Sequence, residues 1–306
     1  MTQAPLMDRI RITEDYDVPR VINGGWQLSA GHALERPLDL ADASRAFNRL
    51  IDMGFDTFDC ADIYTGVEDF FGGIIRERRK AGLRLPQIHT KFVPDLNDLA
   101  NVTPAYVENI ITRSLRRLGV ERLDAVQFHW WDYSVPGMVD VAGELVRLQE
   151  KGLIRLISTT NFNAVELRKL FDAGIPVATN QCQYSILDRR PAMRLERLCR
   201  ETGVKLLCYG TVAGGFMSEK WLGAPKPDHF ENRSLVKYAL VIEDSLRWEG
   251  FQALLALMKE IDESELSVEN VSVGTHVTIQ MEGEDETEEY DIVGRTEADP
   301  LYEIAD

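Results

Sequence analysis

The stretch 55–64, FDTFDCADIY, is a short β-rich apolar run whose C-terminal end carries two polar residues, Asp59 and Tyr64. The same grammar returns in QIHTKF (87–92), which carries Lys91, and in LDAVQFHWW (123–131), which carries His129. Further runs of the kind are VINGGW (21–26), LIRLIST (153–159), PVATNQC (176–182) and VKLLCYG (204–210), so seven strands are expected. Between them lie stretches of helical period, among them LADASRAFNRLIDMG, TPAYVENIITRSLRRLG and PAMRLERLCRETG, each closing on Gly. Alternating β and α with near-continuous apolar strands means a parallel sheet. This many units in succession favours an α/β fold of the (β/α)8 TIM-barrel type over an open sheet. A doubly wound sheet, the runner-up, wants a glycine fingerprint after an early strand, and Gly24-Gly25 alone does not supply one.

The eighth unit departs from this pattern. A long helical pattern over 234–262 gives way to VSVGTHVTIQ (271–280), an acidic turn and YDIVG (290–294), the alternation of a β-hairpin. The expected organisation is a barrel over 1–262 and an acidic β-rich segment over 263–306, with 271–279 standing in the eighth strand's place, parallel to the seventh and first. Residues 1–20, with IRITEDYDVPRV, are expected to form a small hairpin across the barrel floor.

The formal charge of −16 argues against nucleic acid or an anionic membrane surface as a partner. From residue 262 onward there are 15 acidic residues and one basic residue, Arg295, so the charge is concentrated in the tail. No apolar run approaches the roughly 20 residues that span a bilayer, and the N-terminus has no apolar h-region, so a cytoplasmic protein is expected. The four cysteines show no metal or disulfide spacing, and no metal site is expected. Cys60 and Cys208 read as small core residues.

An acid, a phenol, an amine and an imidazole delivered by neighbouring strand ends to one rim make a proton-transfer site. Taken singly, each has a blander reading: a strand-end Asp or Lys is ordinarily a solvated charge, and a His before two Trp is ordinarily core packing. Their order at successive strand ends outweighs those readings.

At these positions the chain resembles the aldo-keto reductases, over about residues 20–262. Asp59-Cys60-Ala61-Asp62-Ile63-Tyr64 matches the family's D-x-A-x-x-Y, Thr90-Lys91 its T-K and His129-Trp130 its H-W strand end. Thr160-Asn161-Phe162 is similar to its S-N-F, Asn180-Gln181 to its N-Q-x-x-Y, and Tyr209 to the tyrosine before its G-x-L-A-G-G. The resemblance implies a reductase that moves hydride from NADPH, or from NADH, to a small carbonyl substrate. Tyr64 would be the general acid, Lys91 would tune it, Asp59 would hold Lys91, and His129 would orient the carbonyl. Gly24, Asn161, Gln181 and Tyr209 would bind the cofactor, while Trp26, Trp130 and Trp131, beside Gly24, would wall the substrate pocket. The family's basic phosphate-binding segment in the eighth unit has no counterpart here, which implies a weakened cofactor site.

The tail resembles a different family. Val273 to Ile279, Glu289 to Gly294 and Glu297 to Pro300 are similar to part of the C-terminal domain of Gre-type transcript cleavage factors, which implies a protein partner for the acidic segment. The competing reading of the whole chain is therefore a non-catalytic barrel scaffold with an acidic partner-binding tail.

Overall fold

The computed structural model describes residues 8–34, 38–265, 276–280 and 287–291. They divide into two compact units, residues 1–209 with 231–233 and residues 210–230 with 234–306. No described helix is long and apolar enough to cross a membrane.

The first unit is the parallel sheet and its helices. It opens with an antiparallel hairpin of β1 (Arg9–Thr13) and β2 (Tyr16–Pro19). Tyr16 and Val18 pack with Ala125 and Leu156 in a small buried cluster at the base of the strands, as the sequence leads one to expect. Seven parallel strands follow, each hydrogen-bonded to the next in chain order: β3 (Asn23–Gly24), β4 (Thr57–Asp59), β5 (Gln87–Phe92), β6 (Leu123–Phe128), β7 (Ile154–Thr160), β8 (Val177–Gln183) and β9 (Lys205–Tyr209). Each lies inside one of the seven apolar runs or extends it by a residue.

The helices between them are α1 (Leu40–Asp52), α2 (Val67–Lys80), α3 (Pro104–Leu118), α4 (Met138–Glu150), α5 (Ala164–Asp172) and α6 (Arg194–Thr202). Local chemistry sets their ends. Asp39 caps α1 by accepting from Ala41 and Asp42 N–H; Thr103 caps α3 ahead of Pro104, and Gly119 closes α3 at φ 68°. Such caps contribute about 1 kcal/mol each by satisfying N–H groups that the helix itself leaves open. The apolar faces converge on one core that includes Phe58, Phe71, Phe92, Phe128, Trp130 and Phe162. The sheet curls: the side chain of Gln181 on β8 reaches Asp59 on β4 at 2.7 Å, which four intervening strand steps would forbid in a flat sheet.

Two expectations change here. The 234–262 pattern is not one helix but α7 (Arg233–Ser245) and α8 (Arg247–Glu265), because Arg247 takes φ 55° and interrupts the turn. Cys208 is exposed rather than core, for it lies on β9, an edge strand with no eighth strand beside it among the described residues.

The second unit holds α7, α8 and an aromatic cluster of Phe216, Trp221, Trp248 and Phe251, with Phe216 and Trp221 ring centroids 4.7 Å apart. Gly210 at φ +76° is required there, since a Cβ would come within 2.5 Å of Tyr238 Oη. Strands β10 (His276–Gln280) and β11 (Thr287–Asp291) pair antiparallel, Val277 opposite Tyr290. They form a sheet of their own, so the described part of 271–279 does not take the eighth strand's place. An alternating strand suits a two-stranded ribbon with one face open better than a buried parallel position. The rest of the Gre-like stretch lies outside the described residues.

Candidate active site

The strand ends place the expected residues on one rim of the first unit. Asp59 ends β4 and Lys91 lies one residue inside the end of β5, so their side chains meet. Lys91 Nζ donates to Asp59 Oδ1 at 2.8 Å, to Oδ2 at 2.6 Å and to the Cys60 carbonyl at 2.8 Å. All three ammonium protons are thereby engaged in a buried place, where an unpaired charge would be costly. Burial works against the Lys91 charge, but Asp59 and Tyr64 outweigh it and hold its pKa above the ordinary value.

Tyr64 follows on the loop after β4, with the Lys91 ammonium 5.0 Å from its ring centroid and the Trp26 ring 5.0 Å away. Burial pushes the phenol above its ordinary pKa, and Lys91 pulls it part of the way back. The effect of Lys91 on the phenol is downward, and the opposing effect of desolvation is larger. His129 leaves the end of β6 with Nδ1 donating to the Thr160 carbonyl at 3.2 Å. Burial, and then Lys91, lower its pKa against that bond. The ring is neutral at neutral pH, with Nε2 as its other nitrogen.

The residues proposed for the cofactor also assemble. Asn161, at φ 62°, donates from its backbone N–H to the Gln181 carbonyl at 2.7 Å and accepts from Tyr209 O–H on its side-chain oxygen at 2.9 Å. Two carboxamides beside an aromatic ring fit the amide and the flat face of a nicotinamide. Gln181 Nε2 is meanwhile engaged with Asp59 Oδ1 at 2.7 Å. Gly24 pairs with Asp59 in the sheet, but the tighter position is Gly25, where a Cβ would come within 2.8 Å of the Asp59 carbonyl.

The three pocket tryptophans separate. Trp26 stands beside Tyr64, and Trp131 sits edge-on to His129 with centroids 4.5 Å apart and its indole N–H on the Pro94 carbonyl at 2.8 Å. Trp130 is 1% exposed, donates to the Val135 carbonyl and packs on Phe128. It is a core residue and not a pocket wall, because alternation past the strand end sends 129 and 131 one way and 130 the other. Trp131, Ile63, Pro94 and Arg113 also line a neighbouring cleft of about 520 Å³, which none of Asp59, Tyr64, Lys91 and His129 lines.

One further residue at this site, Gln127, lies outside the sequence-level motifs, and two, Thr160 and Asp62, lie inside them without an assigned role. Gln127 on β6 donates to Asp59 Oδ1 at 2.7 Å, while Thr160 supplies both the carbonyl that orients His129 and a hydroxyl 3.3 Å from Gln181 Oε1. Asp62, inside the D-x-A-x-x-Y stretch, is pushed up to about 7 by burial and by Glu68, with Arg113 resisting at 3.1 Å. The described residues contain no group of His, Cys, Asp or Glu placed to hold a metal ion.

A curled parallel sheet with an acid, an ammonium, a phenol and an imidazole gathered at its strand ends defines a TIM-barrel-like protein that carries four titratable side chains at its C-terminal rim. Residues 20–273 match the Aldo/keto reductase family, and the chain belongs to that family. It is 28% identical over 220 residues to a chloroplastic pyridoxal reductase of Arabidopsis thaliana, covering 66% of this chain and 56% of that one. It is 31% identical over 161 residues to flagellar radial spoke protein 5 of Chlamydomonas reinhardtii, covering 46% of this chain and 30% of that one. The chain thus spans 56% and 30% of the length of these two curated relatives. Among solved structures, a glycerol dehydrogenase from Gluconobacter oxydans shares the fold with TM-score 0.67 at 24% identity, covering 84% of this chain and 78% of that one.

Proposed function

We propose that this chain is an NAD(P)H-dependent reductase of small aldehydes or ketones, with Tyr64 as the proton donor. The observation that carries the reading is the Lys91 ammonium held on both Asp59 oxygens while it lies 5.0 Å from the Tyr64 ring. A bound nicotinamide supplies the hydride, and the protein's part is to place a carbonyl and manage its proton. Asn161 and Gln181 would hold its carboxamide, with Tyr209 beside them to take the flat ring. Tyr64 O–H hydrogen-bonds to the carbonyl oxygen and gives up its proton as negative charge develops there. Lys91 stabilises the phenolate that remains, and Asp59 keeps Lys91 in place. His129 offers Nε2 to the same oxygen: as a neutral ring it accepts from the alcohol hydroxyl, and as an imidazolium it donates to the carbonyl. Trp26 and Trp131 are the apolar walls.

NADPH is the donor proposed first and NADH second; the acidic segment beyond residue 262 weakens the hold on the adenosine phosphates. That segment is read as a surface for a protein partner, on its charge and its Gre-like pattern, and the pairing of β10 with β11 supports a hairpin there. Four free cysteines agree with a cytoplasmic protein. A second reading, a barrel that serves as a scaffold, draws support from the 31% identity to a flagellar radial spoke protein. Titration with NADPH, followed by Trp26 and Trp131 fluorescence, and turnover on a panel of small aldehydes and ketones separate the two. Saturable quenching with turnover supports the reductase; neither response at millimolar cofactor supports the scaffold.

A further inference from the structure

Asp59 Oδ1 accepts three hydrogen bonds, one from Lys91 Nζ at 2.8 Å and one each from the side-chain amides of Gln127 and Gln181 at 2.7 Å. The two amides differ in what else they do. Gln181 is half-buried, receives the Thr160 hydroxyl on Oε1 at 3.3 Å, and adjoins Asn161 and Tyr209. Gln127 is 0% exposed, and its Oε1 is buried with no hydrogen-bond partner. Its orientation follows from chemistry, since a carboxylate accepts and the NH2 end alone can face it. A buried oxygen left without a donor is rare, and it persists where another requirement overrides it. Here that requirement is Asp59. The register agrees with the placement: Gln127 on β6 lies directly opposite Lys91 on β5, so amide and ammonium approach Asp59 at one level of the strands.

We propose that Gln127 is a positioning residue of the proton-transfer site, the fixed amide that holds Asp59 with both oxygens on Lys91, whereas Gln181 is the exchangeable one that leaves Asp59 for a nicotinamide carboxamide. This inference rests on the reductase reading above. When Gln181 turns to a cofactor, Gln127 is left as the amide that steadies the carboxylate. The charge of Asp59 makes Tyr64 harder to ionise, and an amide on Oδ1 draws part of that charge away from the phenol. Loss of the amide lets the carboxylate rotate off Lys91 and be felt more strongly at Tyr64.

The test uses the full chain with Gln127→Leu, of similar volume without the amide, and Gln127→Glu, which adds a second carboxylate. The expected result is a basic limb of the kcat profile displaced upward by roughly half a unit or more in the Leu variant and at least as far in the Glu variant. KM for the aldehyde should stay within about twofold, as expected for a group that does not touch substrate. A merely structural glutamine would lower the melting temperature and leave the limb where it is. A crystal structure of Gln127→Leu, needing no activity, should show Asp59 rotated so that a single carboxylate oxygen faces Lys91 Nζ. An unmoved limb in both variants beside an active wild type, or a Leu variant in which both Asp59 oxygens still bind Lys91, overturns the proposal. An inactive wild type fails the reductase reading instead, and the crystal structure still decides the role of Gln127.

Discussion

Replacing Lys91 by Met keeps the length of the side chain and removes its charge from a nearly closed place, where Lys91 is 6% exposed. Two losses follow, and they have different sizes. The first is electrostatic support for the Tyr64 phenolate. A unit charge 5.0 Å from the ring centroid contributes about 3 kcal/mol at an effective dielectric constant near 20, or roughly two pKa units. The phenol, already raised by burial, becomes a poorer proton donor, and kcat should fall by about 10² to 10³ at neutral pH. The basic limb of the profile should move upward at the same time. The second loss is the counter-charge of Asp59, whose side chain is 13% exposed and retains the Gln127 and Gln181 amides. Breaking a buried pair costs about 3–5 kcal/mol, and the remaining amides place this one near 3 kcal/mol. For a unit of this size that corresponds to a melting temperature lower by roughly 6–12 °C. The assay is NADPH oxidation against pH, run well below the variant's melting temperature. A Lys91→Met enzyme with kcat within tenfold of wild type and an unshifted basic limb would refute the tuning argument, whatever its stability.

Other outcomes follow from the same physics. Arg113→Met should destabilise the protein by about 1 kcal/mol at pH 8, because Arg113 opposes the burial that raises Asp62 to about 7 and so favours its ionised form there; its half-exposed guanidinium keeps the figure small. The loss should vanish near pH 4, where Asp62 is protonated in both proteins, and urea unfolding at the two values checks it. His89 is buried against Tyr16 with Nε2 3.0 Å from its hydroxyl, and burial lowers it to about 4. The unfolded chain therefore takes up a proton near pH 6.5 that the folded one refuses, so up to about 3 kcal/mol present above pH 6.5 is lost as the pH falls toward 4. His89→Leu should flatten that slope in denaturant titrations, and an unchanged slope would assign the acid sensitivity elsewhere. For His129, whose pKa lies below its ordinary value, kcat/KM for carbonyl reduction should decline as the pH rises through that value, and His129→Gln should abolish the decline.

Most of the fold was legible because each strand is a closed apolar run and several helices, α1, α3 and α5 among them, open on a side-chain cap. Asp59, Tyr64, Lys91 and His129 were legible for a related reason, since a polar residue at the end of such a run has nowhere to point but the rim. Trp130 was misplaced although alternation beyond Phe128 separates it from His129 and Trp131. Gln127 was invisible because an interior Gln becomes informative once register sets it opposite Lys91 and beside Asp59. The eighth strand was inferred from the need to cover β9, but alternation in 276–280 favoured a ribbon with 287–291. Likewise Arg247 carries no local signal of the positive φ that parts α7 from α8.

The central claim is that Tyr64 delivers the proton while hydride passes from a nicotinamide to a carbonyl carbon. Its most direct test is a single-turnover reaction of the protein with deuterium-labelled reduced nicotinamide and a small aldehyde, with the alcohol analysed by mass spectrometry. The account predicts that wild type transfers the label to the alcohol carbon, and that Tyr64→Phe binds the cofactor equally well but transfers it at least about 10² times more slowly. Labelled alcohol formed by Tyr64→Phe at the wild-type rate, or none formed by wild type, would contradict it.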